Sequence, residues 1–210
     1  MHIPSSFKVE HVSNLLQIMA ENAFATIITT DENNLPVATS LPFLVRQNND
    51  EIILQAHFAK ANPQWKHLEK NTQILVIFQG PHCYVSPSWY KSPGVPTWDY
   101  ITVHAYGTAK LFHNNDQLQE LIETLSDKYE STQEKPWKAE NNYPDKMLNA
   151  IVGFEICVQE MKGKVKIGQN KSEEDLRGVI DGLKNSSDKP HQEYNLAIAK
   201  LIKKHLKTKE

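Results

Sequence analysis

The stretch that decides the fold is His82 to Gly107, HCYVSPSWYKSPGVPTWDYITVHAYG. Trp89, Trp98, Tyr84, Tyr90, Tyr100 and Tyr106 fall in it, with Pro87, Pro93 and Pro96 inside and Pro81 at its edge. Proline fixes φ and removes a backbone donor, so residues 86–97 form neither an ordinary helix nor a central strand. They read as a shaped loop between two β-segments, Cys83 to Ser86 and Tyr100 to Phe112. A stiff loop carrying flat side chains suits a flat ligand or a partner chain; a loop that merely closes one end of a barrel is the plainer reading.

On the N-terminal side the pattern is β-rich. Residues 9–21 put Val12, Leu15, Leu16 and Met19 on one helical face. Phe24–Thr30 is a strand by its β-branched content, residues 31–34 are a turn, and Leu35–Arg46 is one extended segment with Pro36 and Pro42 marking an edge or bulge. Glu51–His57 is a third strand, so the chain opens as an antiparallel meander. Next, Asn62 is an N-cap and Pro63 suits a first helical turn, so a helix starts just after Lys60. Its free N–H groups and the Lys60 ammonium make an anion site, or Lys60 is a surface lysine beside a capped helix. Gln73–Phe78 is a buried strand.

On the C-terminal side, Asn114–Glu130 is a helix with Leu118, Leu121, Ile122 and Leu125 inward. Ser131–Asn142 is polar and irregular, Pro144 opens a short helix, and Ile151–Val158 is a last strand. Met161–Asn170 holds Lys162, Lys164 and Lys166. Ser172 starts a helix with a capping-box-like signal, which accounts for Glu173 and Glu174. A polar linker at 185–189 leads to a terminal helix over Pro190–Leu206, whose end carries Lys200, Lys203, Lys204, Lys207 and Lys209. The sum is an α+β domain, mainly β, on six to seven antiparallel strands with peripheral helices.

The 210 residues suffice for one real core, and a net charge of −2 offers no global attraction to nucleic acid or anionic membrane. Cys83 and Cys157 read as buried reduced thiols, which with a start lacking signal-peptide character points to the cytoplasm. No apolar run reaches the length of a membrane helix. Glycine-rich phosphate loops and zinc spacings are absent from the sequence. His57 and His104 lie at strand positions, where a haem ligand is conceivable and a satisfied histidine is commoner. Three features are left: Lys60–Asn62, the polar strand Ala38-Thr39-Ser40, and a lysine segment ending in Gln169 and Asn170. A ligand with a phosphate, a polyol and a flat polar ring would use all three and the aromatic loop, and FMN is such a ligand.

The runs IPSSF, VATSLPF, HFAKANPQW, VSPSWY, VPTWDY, VHAYG and GKVKIGQNKSEEDLRGVI, in this order from Ile3 to Ile180, resemble the PaiB family of FMN-binding negative transcriptional regulators. One departure stands out: Ile167 and Gly168 occupy places where the family has leucine and serine. The resemblance implies an FMN-binding split β-barrel over residues 1–185, similar to pyridoxamine-phosphate oxidases, with 186–210 as a helical extension packed on or near it. It also implies a homodimer with flavin at the interface, and repression of sporulation and protease genes in bacilli. Lys60 is then the phosphate lysine, and the cofactor-binding set is Thr39, Ser40, His57, Ala59, Lys60, Asn62, Lys166, Gln169 and Asn170. A helix-turn-helix signature is missing from the sequence, so DNA binding has weak support. A flavin oxidoreductase acting on a small substrate is the alternative from a different class, and a haem-binding split barrel a distant third.

Overall fold

The computed structural model describes residues 1–70, 73–137 and 144–208. Strand β1 (Lys8–Val9) precedes helix α1 (Val12–Glu21), which buries Leu15 and Met19 as the helical spacing predicts and leaves Val12 exposed. Strands β2 (Phe24–Thr30), β3 (Pro36–Pro42), β4 (Leu44–Asn48) and β5 (Glu51–Ala59) form the opening meander. The β2–β3 turn is held by Asp31, whose Oδ1 accepts the backbone N–H groups of Asn33 and Leu35, each at 2.8 Å. Those bonds hold the Asp31 carboxyl below its usual range. Asn34 takes the left-handed φ of 60° that asparagine tolerates.

The single extended segment expected over Leu35–Arg46 is two strands, divided at Phe43. Its N–H donates to the Ala23 carbonyl at 2.8 Å and its ring is fully buried, so the chain breaks the ladder to insert an aromatic anchor. Helix α2 (Trp65–Leu68) is four residues long, after an opening of i→i+3 bonds from Lys66 to Pro63 and from His67 to Gln64. Asn62 Oδ1 accepts the Gln64 N–H at 3.0 Å in an Asx turn ahead of the helix, whose N-cap is Gln64 without a side-chain bond, so the helix starts later than expected and Asn62 does not cap it. A helix this short has no dipole to draw on, so the expected anion site of a helix N-terminus is not present in that form.

Strand β6 (Ile74–Val85) joins the two strands expected at Gln73–Phe78 and Cys83–Ser86. The buried positions fall on even numbers up to Gly80 and on odd numbers from Cys83, a one-residue slip around Pro81, the residue with no N–H to give a ladder. Strand β7 (Thr97–Phe112) follows the aromatic loop, whose Pro87–Trp89 forms a 3₁₀ turn. Helices α3 (Asn115–Glu130) and α4 (Asp145–Leu148) lead to β8 (Ile151–Lys166), which runs through the lysine segment instead of ending at Val158. The part of Ser131–Asn142 from 138 on, and Lys209, lie outside the described residues. Helix α5 (Glu173–Lys184) starts at Ser172, whose Oγ accepts the Asp175 N–H at 3.1 Å, and α6 (Gln192–Lys207) closes the chain.

Among the described residues the strands form one sheet in the order β3-β2-β6-β7-β8-β5-β4, with β1 added on β8, giving eight where six to seven were expected. β2 pairs antiparallel with β3 and β6, β4 with β5, and β5 and β1 with β8. The two-residue β1 is too short to show as a period in the sequence.

The chain divides into two units. The second, Met19–Phe78 with His104–Met161, is built around Phe43, Phe58, Phe78 and Phe154, all fully buried. Phe58 stacks on Phe154 at 5.1 Å, and Phe43 meets Phe78 and Phe154 edge-on at 5.8 and 6.0 Å. Each ring contributes about 1.5–3 kcal/mol by leaving water. A smaller cluster joins Leu44, Phe112 and the α3 residues Leu121 and Leu125.

The first unit, Met1–Ile18, Gln79–Val103 and the chain from Lys162, packs α5 and α6 over Cys83, Val85 and Ile101. Here the aromatic loop is docked. A Cβ on Gly182 would sit 2.2 Å from the Trp89 ring, and one on Gly178 would sit 2.1 Å from the Trp89 carbonyl oxygen. Buried Asp175 accepts the Lys91 and Ser92 N–H groups at 2.9 and 3.0 Å, which hold its carboxyl below the usual range. Burial pushes the Cys83 thiol up to about 12, while Cys157, expected to be buried, is exposed. Among the described residues no helix is long and apolar enough to cross a membrane.

Candidate functional site

In the second unit, the turn after β5 is bound to the β2–β3 hairpin through one side-chain network. Asn62 Nδ2 donates to Thr39 Oγ1 at 3.1 Å, and the Thr39 hydroxyl donates to Gln64 Oε1. Gln64 Nε2 donates to the Val37 carbonyl at 2.9 Å and to Thr29 Oγ1 at 3.1 Å, and Thr29 Oγ1 lies 3.0 Å from His67 Nδ1. Gln64 is fully buried and Thr29 nearly so. Lys60 is exposed at the head of this turn, with its N–H on the Ala150 carbonyl at 2.7 Å and its carbonyl accepting the Trp65 indole N–H at 3.1 Å. The backbone that carries the lysine is thus fixed while its long side chain faces solvent. Ser40, beside Thr39, lies 3.2 Å from the Thr26 hydroxyl.

Strand β5 places His57 opposite Gly153 and Ala59 opposite Ile151 on β8. The His57 Nδ1 atom and the Gln55 Oε1 atom, two residues apart on one face, are buried with no hydrogen-bond partner. Burial pushes the His57 imidazole below its ordinary value, so the ring is neutral at pH 7. Buried polar atoms without a partner in the chain are met by ordered water or by a bound group. The polar ring edge of a flavin has donors and acceptors of the required kind. Hydroxyls of Thr39 and Ser40, amides of Asn62 and Gln55, a neutral imidazole and an exposed ammonium therefore suit FMN. Among the described residues no group of His, Cys, Asp and Glu could hold a metal ion.

In the first unit, Lys166 is engaged by β7. Its Nζ donates to Thr97 Oγ1 at 2.6 Å and to the Trp98 carbonyl, and lies 3.4 Å from Asp99 Oδ1. Burial pushes the Asp99 carboxyl up to about 6, against the opposing pull of the Lys166 ammonium. Gln169 folds back on its own turn, with Oε1 accepting the Ile167 N–H at 2.9 Å and Nε2 donating to the Val165 carbonyl at 2.6 Å. Asn170 is exposed in that turn. Gly168 has φ 74°, a left-handed conformation that glycine adopts without strain, so the departure at this place serves the turn. Trp98 and Tyr84 are exposed with ring centroids 6.1 Å apart, and His82 lies 6.1 Å from Trp98 and 4.9 Å from Tyr194.

Of the expected residues, the second unit contains Thr39, Ser40, His57, Ala59, Lys60 and Asn62, and joins Thr39 directly to Asn62. Lys166, Gln169 and Asn170 belong to the first unit, the first two bonded locally. Sequence reading passed over Gln64, Thr29 and His67. Gln64 lies inside the run HFAKANPQW, and its position just after a capped proline was the available signal.

A family model described as "Putative FMN-binding domain" matches residues 1–160. Protease synthase and sporulation protein PAI 2 of Bacillus subtilis is 38% identical over 191 residues, covering 90% of this chain and 91% of that protein. Among solved structures, a flavocytochrome from Azotobacter vinelandii has a TM-score of 0.63 at 16% identity, covering 84% of this chain and 78% of the other. An FAD- and haem-binding protein from Mycobacterium smegmatis has a TM-score of 0.61 at 17% identity, covering 81% and 78%. At such identities these two structures speak for the fold. With a family match over most of its length and a relative of this similarity over nearly all of it, the chain belongs to the PaiB family, a split-barrel flavoprotein with FMN as its cofactor.

Proposed function

We propose that the protein is an FMN-binding negative regulator of transcription, a cytoplasmic homodimer with flavin at the subunit interface. The observation that carries this reading is the 38% identity across nine-tenths of both chains to a protein named for protease synthesis and sporulation. Residues 1–185 serve as the flavin domain and 186–210 as its helical extension, in keeping with the family match over 1–160 and with the packing of α6 on α5. Lys60 takes the FMN phosphate, while Thr39, Ser40, His57, Ala59 and Asn62 line the flavin. Lys166, Gln169 and Asn170 form a further group of contacts. Bound FMN supplies one- or two-electron redox chemistry. The chain's own residues bind and orient it, and neutral His57 presents an uncharged nitrogen to the ring.

DNA contact in this reading is electrostatic and weak. In the lysine segment, Lys166 is bonded to β7, Lys164 donates to the His2 carbonyl and lies over Tyr100, and Lys171 lies over Tyr90. The α6 lysines 200, 203, 204 and 207 are exposed. Few neutralised phosphates give a shallow salt dependence and little base readout. Fluorescence anisotropy of promoter and scrambled duplexes across a salt series tests this, with the four α6 lysines changed to glutamine. Substitution is preferred to truncation because Ile202 and Leu206 are buried. Weak, equal binding to both duplexes that is lost in the variant supports the reading. Nanomolar, promoter-selective binding that survives the substitutions makes the barrel the DNA-binding module. No binding to either duplex, with flavin-dependent turnover of a reductant, moves the protein to the oxidoreductase class.

A further inference from the structure

We propose that Gln64 is a positioning residue that sets the preference of the site for a phosphorylated flavin over riboflavin. The proposal rests on the assignment of Lys60 to the phosphate and deepens it.

A primary amide with no solvent exposure is an expensive choice where leucine would fill the same volume. It persists only with its hydrogen-bonding capacity met, and here it is met. Two main-chain carbonyls, Val37 at 2.9 Å and Ile27 at 3.4 Å, face one end of the amide, so that end must be the NH₂ group. The oxygen then accepts from Thr39, which leaves the Thr39 oxygen free to accept from Asn62 at 3.1 Å. Asn62 in turn accepts the backbone N–H of Gln64 at 3.0 Å. The ring Asn62–Thr39–Gln64 is closed, and its second anchor is Thr29 Oγ1 at 3.1 Å.

This ring ties the turn at 59–64 to the hairpin that carries Thr39 and Ser40. Asn62 N–H on the Ala59 carbonyl, 2.9 Å, and the Trp65 indole on the Lys60 carbonyl carry the constraint back to Lys60. Apolar packing would hold the turn loosely in register, whereas directional bonds fix it to within hydrogen-bond tolerance. The ammonium is thereby launched from a defined point beside the polar strand, where a phosphate on the flavin's polyol tail would lie. Of the residues assigned to the flavin ring and polyol, which FMN and riboflavin share, Thr39, Ser40, His57 and Ala59 are also held by strand pairing, opposite Ile27, Thr26, Gly153 and Ile151, so only Asn62 shares the dependence of that launch point on Gln64.

The test compares FMN and riboflavin affinities by flavin fluorescence quenching for wild type, Lys60→Ala, Gln64→Leu, Thr29→Val and the double variant Lys60→Ala/Gln64→Leu, with thermal unfolding in parallel. Gln64→Leu is expected to raise the FMN Kd about ten-fold and the riboflavin Kd by less than about two-fold, one lost hydrogen-bonding constraint being worth roughly a factor of ten. Thr29→Val, an isosteric change at a buried residue outside the set assigned to the flavin, should shift the same ratio in the same direction, by about three-fold. In the Lys60→Ala background, Gln64→Leu should add nothing to the FMN loss, because the two act as one unit. Equal losses of both flavins in Gln64→Leu and Thr29→Val, with Lys60→Ala still phosphate-selective, overturn the role of Gln64 and leave that of Lys60 standing. A Lys60→Ala variant that loses both flavins equally overturns the phosphate assignment and this proposal together. If Gln64→Leu does not fold, the ratio measured with Thr29→Val decides.

Discussion

At the scale of single residues, Lys60 and Asp99 illustrate charge in two settings. Lys60 is exposed on a fixed backbone, so its value lies in what it meets. Lys60→Ala is expected to weaken FMN binding by about 1.5–3 kcal/mol, the scale of a charge-assisted hydrogen bond, and to leave riboflavin nearly unchanged. Isothermal titration with both ligands checks it. Asp99 is buried, and its folded value of about 6 lies above the ordinary 3.8. Below about pH 4 both folded and unfolded chains hold the proton; between about 4 and 6 only the folded chain keeps it. The contribution of Asp99 therefore favours the folded state at low pH and is lost as pH rises through about 6. Asp99→Asn, which still offers an oxygen to Lys166, should gain on wild type over that interval. Urea unfolding of both proteins from pH 4 to 7 measures the gap, and a gap that does not change with pH would sink the idea.

At the scale of elements, α5 shows how a sequence feature changes sign in context. Its GVIDG run, Gly178 to Gly182, looks like a weak point, since glycine in a helix interior costs about 1 kcal/mol relative to alanine. The two glycines instead admit Trp89, which brings the aromatic loop onto α5. Gly182→Ala is thus expected to destabilise the protein by about 1–3 kcal/mol, an overpacking cost. In a Trp89→Ala background the same change should stabilise, by about 1 kcal/mol, because only the propensity gain is left. Urea midpoints of the two single variants and the double variant close the cycle. Additive effects would show that the ring and the glycine do not touch. The same docking packs Trp89 and Tyr90 on the α5–α6 cluster and leaves Trp98 52% exposed.

At the scale of the whole molecule, the proposed homodimer is tested at the apolar surface that remains uncovered. Trp98, Tyr84 and Val95, the last 73% exposed, are apolar surface of a kind that marks interaction sites. They are the surface that the proposed homodimer would cover. Sedimentation velocity at micromolar concentration should show a single dimeric species, in which Trp98→Lys would shift the population to monomer. A wild-type monomer that retains bound flavin would rule the dimer out as a requirement of the site.

The sequence by itself determined most of the strands and helices, their order, the hairpin turn at Asp31–Asn34, the cap at Ser172, and the family. Such features are written in local period, turn chemistry and contiguous motifs, which a single pass along the chain can read. Strand continuity was legible only in part, because Pro81 and the lysines at 162–166 mimic a break that pairing overrides. Tertiary structure alone decided that Gln64 meets Val37 and Thr29, that Trp89 meets Gly178 and Gly182, and that Lys166 is bound to Asp99. Those partners are far apart in the chain. A buried glutamine with every hydrogen bond met and a solvated one are the same letter until folding removes the water.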